Sequence, residues 1–591
     1  MSTDSTKSIQ KYFPNIHINK NKRDQGFVMN CNMAANLVKG KYIHFLNNDI
    51  QVENEWLSSL LKLIESDEKI GMVGSKIIYP DKTLQEAGGI IWKDGSGCNY
   101  GRGKDPEMGE YNYVKEVDYI SGASILIKKS VWDEIGGFDK RYIPSYYEDT
   151  DLAFEVREHG YKVMYQPKSV VIHYEGISNG KDLKKGIKKY QSKNQKKFIE
   201  KWKEKLKEQY EPQNIFNARD RSMNKKRILV IDRYIPNFDK DAGGRCIYMY
   251  LKIFQNIGLV VTLLGDNLQK YEPYTSILEQ EGIEVLYGER YFSNLNKWLE
   301  DNLKHFNFIF LQRPDITIKY IYLIKNNNYT GKIFYFAHDL NYIRLYREYK
   351  ITGNKATLNQ SKFWEDLENK IFSEADVGYV VGTYEEKIIK EKFINKSIYN
   401  IPLYTYEKQI SNIEKNFSKR KNLIFVGGFY HSPNKDAILW FTREIYPYIL
   451  KKYPDMILHI VGSNVPNEIK NLETKNIKVD GYLSDEDLKS LYLKCRIAIA
   501  PLRFGAGVKG KIVEAAYYQI PLITTSIGIE GLNNSFGTFL IEDNALKMAE
   551  VICSIYEDYI KLKKLSDLEK IFIEKYFTPE RAKEILLKDM K

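Results

Sequence analysis

At 591 residues, the chain is long enough for about four compact units of roughly 150 residues each. Its 28% charged and 43% hydrophobic residues are ordinary globular values. They exclude a wholly disordered, collagen-like or mucin-like chain. The formal charge of +12 is concentrated, with 16 Lys/Arg against 6 Asp/Glu between Lys181 and Lys226. A distributed nucleic-acid-binding surface is therefore not supported, and no nucleic-acid partner is expected.

No stretch approaches the roughly 18 consecutive apolar residues of a membrane span. The opening MSTDSTKSIQKYF lacks an apolar run of signal-peptide length. The five cysteines lie far apart with no CxxC pair, which argues against a disulfide framework or a zinc site and fits a reducing compartment. A cytoplasmic protein is expected.

Short apolar strands alternate with helices before the basic segment. KYIHFLNNDI reads as a strand running into a polar tip and WLSSLLKLIES as an amphipathic helix, while MVGSKIIY and ASILIKK are strand-like. In the basic segment Leu183, Ile187, Tyr190, Phe198, Trp202 and Leu206 draw an apolar stripe on a helix. Two readings stand: a helix on an anionic membrane surface, or the last helix of the first domain, docked by its stripe with lysines facing water. The docked reading is favoured. EPQNIFNARDRSMNKK reads as a polar linker. After it, RILVIDRYIP is a buried strand followed by a helix from about Cys246 to Gly258. The β-α-β rhythm continues through LVVTLLGD, FIFLQ, KIFYFAH and VGYVVG, then restarts at NLIFVGGF. Such continuous Val/Ile/Leu runs belong to parallel sheets buried on both faces, so three α/β lobes are expected.

Three clusters carry chemistry in the first region. Asn47-Asn48-Asp49 sits at the C-terminal tip of a strand, where open α/β sheets bind ligands, and a carboxylate there can hold a divalent cation that holds a diphosphate. Asp149, in Glu148-Asp149-Thr150-Asp151, starts a helix whose dipole favours the ionised form, ready to take a proton from a hydroxyl. His173 in VVIHYEG is a strand-end imidazole able to complete a metal shell. Together with STDST, QGFVMNCNMAA, DYISGASILIKKSVWDEIGGFD and YYEDTDLAFEVREHGYKV, this order resembles glycosyltransferase family 2, with the GT-A fold. The resemblance implies inverting transfer from a nucleotide-activated sugar with Mg2+ or Mn2+. Asp49 matches the metal-binding end of the DxD motif, Asn47 replaces its first Asp, Asp149 matches the general base and His173 a metal ligand. The S-[ST]-D-x-T turn falls on Ser2–Thr6, so the strand-helix-strand that ordinarily precedes it falls before Met1. Two outcomes are open, a true start further upstream or a degraded module, and on the chain as it stands weak or absent transfer by this half is expected.

In the second region, PLRFGAGVKGKIVEAAYYQIPLITT follows the strand IAIAPL and enters a helix near Lys511. Gly505, Gly507 and Gly510 let backbone amides approach an anion at a helix N-terminus, with Arg503, Lys509 and Lys511 adding charge. Ile512 stands where a P-loop needs Ser or Thr, which argues against an NTPase. Glu514, one turn in, can accept ribose hydroxyls. With FVGGFYHSPNKDAILWF, LHIVGS and TTSIGIEGL, this block resembles glycosyltransferase family 4, with the two-lobed GT-B fold. In that resemblance Glu514 is the second Glu of E-x7-E, and Ala506 replaces the first. Gly243 and Gly244, beside Asp241, match a glycine-rich turn facing donor and acceptor. Gly427 and Gly428 open the second lobe near the diphosphate, and His338-Asp339 supply acceptor-side contacts. Retention of configuration and no required metal are implied, with TPERAKEILLKDM crossing back to the first lobe.

The expected architecture is therefore α/β throughout. A GT-A domain spans 1–210 and a linker 211–225, followed by a GT-B N-terminal lobe at 226–405 and a donor-binding lobe at 406–591. The expected function is bifunctional transfer from UDP-, dTDP- or GDP-sugars to a glycan or polyprenyl-linked acceptor of a bacterial surface polysaccharide. Peripheral contact with the inner face of the membrane would run through the basic helix 181–207. The alternative keeps only the GT-B half catalytic.

Overall fold

The computed structural model describes residues 9–19, 21, 25–174, 189–407, 410, 413, 416–532 and 537–590. They form two compact units. One holds the residues up to Lys226 together with Thr275–Glu289, the other Arg227–Tyr274 and Arg290–Lys591.

The first unit is built on a mixed sheet whose main path runs Tyr42–Leu46, Ser124–Lys128, Ile70–Ile78, Lys162–His173, Ile50–Val52. Ile70–Ile78, buried along almost its whole length, pairs in parallel with Lys162–His173. The short strand Ile50–Val52 pairs antiparallel with the end of the latter, Ile50 opposite His173. That register brings the polar tip after Tyr42–Leu46 to the end of strand Lys162–His173. The amphipathic helix Trp56–Ser66 buries Leu60 and Ile64, as its pattern predicts.

The described part of the basic segment is docked by its apolar stripe. Helices Lys189–Lys201 and Lys203–Leu206 bury Phe198, Trp202 and Leu206, and Phe198 meets Phe154 edge-on at 5.1 Å. Lys201 is tied to Asp151 and Glu155, each at 2.8 Å. Tyr190 is half-buried; Leu183 and Ile187, like Ser2–Thr6, lie outside the described residues. Residues 211–225 are not the polar linker expected. Ala218, Arg219, Asp220 and Ser222 are buried, and the Arg219 guanidinium pairs with Glu284 at 2.8 Å. A buried arginine is tolerated only when paired, and this pair holds the segment in the first unit.

The second unit contains two parallel sheets, the two-lobed GT-B arrangement that the sequence implies. The first lobe orders its strands Val260–Gly265, Arg227–Asp232, Phe308–Gln312, Lys332–Ala337, Val377–Val380, Ser397–Asn400. The second orders Ile477–Gly481, Leu458–Val461, Lys421–Val426, Cys495–Ala500, Leu522–Thr524, Leu540–Ile541. Numbered within the lobe, that is the doubly wound 3-2-1-4-5-6 order, whose switch point lies beside the first strand. Helix Ala242–Asn256 begins four residues before Cys246, because the Asp241 side chain accepts from the Gly244 amide at 2.8 Å. Gly243 and Gly244 are thus first-turn helical residues rather than a loop. The C-terminal helix Pro579–Leu586 leads back to the first lobe, where Lys332 pairs with Asp589 at 3.0 Å.

Candidate functional site

The second unit has a cleft of about 560 Å³ between its lobes, at the C-terminal ends of both parallel sheets. This is the crevice where such sheets bind ligands. Gly243, His338, Asp339, Gly427, Gly428, Lys509, Lys511 and Glu514 line it, whereas Gly244, Arg503 and Gly507 do not.

Its floor is the start of helix Gly510–Tyr517. Lys511 sends its ammonium to the Asn434 side-chain oxygen and over the Phe425 ring, 4.6 Å from the centroid. A Cβ on Gly427 would lie 2.8 Å from Nζ, so glycine there is the space the lysine occupies. Lys509 donates to the Gly507 carbonyl at 2.5 Å. Burial drives Lys509 down to about 8, opposed by Glu385 and Glu530, and drives Lys511 down to about 7, with Lys509 adding to the fall. Two under-neutralised ammonium groups at one helix N-terminus make an anion site.

Glu514 is buried, and burial raises its pKa against the pull of Arg245. One oxygen takes Arg245 Nη1 at 2.7 Å and the other the Tyr492 hydroxyl at 3.2 Å. The second Arg245 nitrogen reaches Asp485 at 2.7 Å. His338 lies 2.9 Å from the Gln312 side-chain oxygen and against Phe336, centroids 4.6 Å apart. Burial, helped by Arg313, pushes it down to about 3, so the ring is neutral. Asp339 pairs with Arg344 at 3.1 Å. Arg503, expected at the donor, is turned away. Its Nε meets Asp436 at 2.9 Å, because that carboxylate matches the guanidinium fork. Gly507, at φ +66°, is also off the cleft: its added Cβ would meet the His338 carbonyl at 2.8 Å.

The first unit brings together three of its four predicted residues in two neighbouring groups. Asp49 Oδ1 lies 3.3 Å from His173 Nε2, while His173 Nδ1 is 3.1 Å from the Gln85 side-chain oxygen. Among the described residues no three His, Cys, Asp or Glu side chains are grouped as metal ligands. A carboxylate and an imidazole nevertheless fit a cation that takes its remaining ligands from water and a substrate phosphate. Asn47 contributes its backbone amide to the Ala123 carbonyl at 3.0 Å. The same turn holds two carboxylates: Ser121 N donates to Glu86 at 3.0 Å and Gly122 N to Asp149 at 2.9 Å. Asp149 also accepts from Thr150 N at 2.7 Å. Burial raises both acids, Glu86 to about 8 with Asp149 contributing.

Gln85, Glu86, Arg245, Asn434 and Tyr492 escaped sequence reasoning. Gln85-Glu86, wedged between Leu84 and Ala87 in a short strand, carried a signal: a polar pair inside an apolar run. Arg245 directly follows the glycine pair already singled out. Asn434 lies within the quoted FVGGFYHSPNKDAILWF block without being singled out, and Tyr492 carried no signal.

Residues 1–134 match the family model described as glycosyl transferase family 2, and residues 420–558 that of glycosyl transferases group 1. The chain is 27% identical over 157 residues to the O-antigen biosynthesis protein RfbC of Myxococcus xanthus, 26% of this chain and 12% of that protein. An uncharacterized 44.6 kDa protein in the cps region of Klebsiella pneumoniae is 34% identical over 131 residues, 21% of this chain and 34% of its own. An N-acetylglucosaminyl-diphospho-decaprenol L-rhamnosyltransferase of Mycobacterium tuberculosis is 35% identical over 68 residues, 12% and 22% of the two chains. The chain thus spans no more than about a third of these relatives' lengths. Among solved structures, TarM aligns with 61% of this chain and 98% of its own at 11% identity and TM-score 0.48. HepE of Anabaena, in complex with UDP and glucose, aligns with 61% and 98% at 14% identity and TM-score 0.44.

Proposed function

From a chain that joins a glycosyl transferase family 2 region to a glycosyl transferases group 1 region, we propose an enzyme that transfers sugars from nucleotide-sugar donors to a surface polysaccharide or its lipid-linked precursor. The observation that carries this is the convergence of Lys509 and Lys511 at the start of helix Gly510–Tyr517. Charge-assisted bonds to a diphosphate are the strong ones. A carboxylate offers about four lone-pair positions, so Glu514 can accept ribose hydroxyls beside the bonds it already makes. His338, held neutral, suits a sugar hydroxyl as a hydrogen-bond partner and suits proton carriage poorly. The lysines neutralise the leaving diphosphate, so this half needs no metal; its resemblance to family 4 implies retention.

In the first unit, Asp49 and His173 would hold Mg2+ or Mn2+, whose role is to neutralise the donor diphosphate, and Asp149 would take the acceptor proton in an inverting transfer. One observation favours a second reading, in which this unit only docks acceptor: both Asp149 oxygens already accept backbone amides. Purified Asp49→Ala, Asp149→Ala and Lys511→Ala proteins, assayed with UDP-, dTDP- and GDP-sugars on polyprenyl-linked acceptors, separate these readings. Two losses, each confined to one linkage, support two transferases. A loss in Lys511→Ala alone supports the docking reading. Wild-type rates in all three remove both sites.

A further inference from the structure

The loop Gly505–Lys509 is gripped by side chains of the first lobe that do not touch the cleft. Glu385, in the first turn of helix Thr383–Lys392, is 1% exposed. One of its oxygens accepts the Gly507 amide at 2.5 Å; the other is buried without a partner among the described residues. Arg347 donates to the Gly505 carbonyl at 2.8 Å and makes a two-pronged pair with Glu530 at 2.7 and 2.8 Å. Close backbone approach makes this grip possible, since the Thr383 amide reaches the Gly531 carbonyl at 3.4 Å. A Cβ on Gly531, at φ +82°, would meet the Gly382 Cα at 3.0 Å.

We propose that Glu385 is a positioning residue for the donor site: it fixes the Gly505–Lys509 loop through the Gly507 amide. This rests on the reading of the cleft as a diphosphate site. Lys509 donates to the carbonyl of the same Gly507 at 2.5 Å, so the residue whose amide Glu385 holds also anchors the Lys509 ammonium. Donor affinity thereby depends on a side chain of the opposite lobe, and the first-lobe carboxylate supports a loop in which Ala506 brings none.

Glu385→Ala removes acceptor and charge, whereas Glu385→Gln keeps an acceptor oxygen for the Gly507 amide and removes only the charge. Two readouts on the full chain test the proposal: amide hydrogen exchange of residues 505–509 without nucleotide, and calorimetric binding of UDP, dTDP and GDP. Glu385→Ala is expected to speed loop exchange and weaken diphosphate binding by about tenfold or more, the worth of one bond to a charged group. Glu385→Gln, which keeps the acceptor oxygen, should keep wild-type loop exchange and diphosphate affinity. Wild-type loop exchange in Glu385→Ala, or exchange as fast in Glu385→Gln as in Glu385→Ala, overturns the proposal. Failure of the wild-type protein to bind any of the three diphosphates would instead sink the reading of the cleft, while the exchange arm still decides the role of Glu385.

Discussion

The two candidate sites stand at corresponding places, the C-terminal ends of strands in an α/β sheet, yet their charges are opposite. In the first unit Asp49 and Asp149 stand with a histidine and a Glu86 that burial holds protonated; in the second, Lys509 and Lys511 stand at the helix start, with Arg245 already paired to Glu514 and Asp485. A diphosphate cannot approach the acidic site unless a cation lies between, whereas the basic site meets it directly with ammonium groups and the open end of a helix. What the pair teaches is that the sheet supplies the place and the residues after each strand supply the sign.

The sharpest way to break this contrast is to remove divalent cations. On the proposed reading, EDTA abolishes transfer by the first unit, as does Asp49→Ala, and leaves transfer by the second unchanged, measured as separate linkages in the product. Next in size, Lys511→Ala should lower donor kcat/KM in the second unit by roughly tenfold to a hundredfold, the worth of one charge-assisted bond of about 1.5–3 kcal/mol. The depressed lysines also set a pH dependence. With Lys511 near about 7 and Lys509 near about 8, the charged forms that bind phosphate are lost as pH rises. Donor KM should therefore climb between about pH 6.5 and 8.5, with protons taken up on binding.

A smaller effect is expected on stability. Glu86 stays protonated in the folded first unit up to about pH 8, while an unfolded Glu ionises near about 4.3. The folded state then holds more protons between these values, so stability falls as pH rises through the window, by at most about 1.4 kcal/mol per unit. Glu86→Gln should flatten that slope, read as the Tm of the first unit's transition at about pH 5 and 8. Smallest of all, Arg503→Ala should change donor kcat/KM by less than about threefold, since its partner Asp436 makes a partly exposed pair.

Much of this was legible in the sequence because it is local. Apolar runs fixed the parallel strands, and the GAGVKGK stretch announced a helix-terminal anion site by its glycines and lysines alone. Asp49 and His173, more than a hundred positions apart, were paired through resemblance, and the register of Ile50 against His173 is the physical reason they meet. What escaped were partnerships between distant elements. Nothing local to Arg503 says that Asp436 will capture it, and nothing near Gly507 says that Glu385 will take its amide. Residues 211–225 misled for a related reason: polar composition reads as linker unless the buried partner Glu284, 65 positions from Arg219, is known. Gly243 and Gly244 were misplaced because a one-residue cap, Asp241, starts the helix earlier than the apolar pattern shows.

The central claim, that lysines take the place of a metal in the second unit, is tested most directly by calorimetric binding of UDP, dTDP and GDP in the presence of EDTA. The Asp49→Ala protein, with its first unit silenced, is set beside the same protein carrying Lys509→Ala and Lys511→Ala as well. The account predicts that at least one diphosphate binds the Asp49→Ala protein with the same affinity with or without EDTA, and that the protein lacking both lysines loses this binding. Binding that requires a divalent cation, or that survives loss of both lysines, would contradict it.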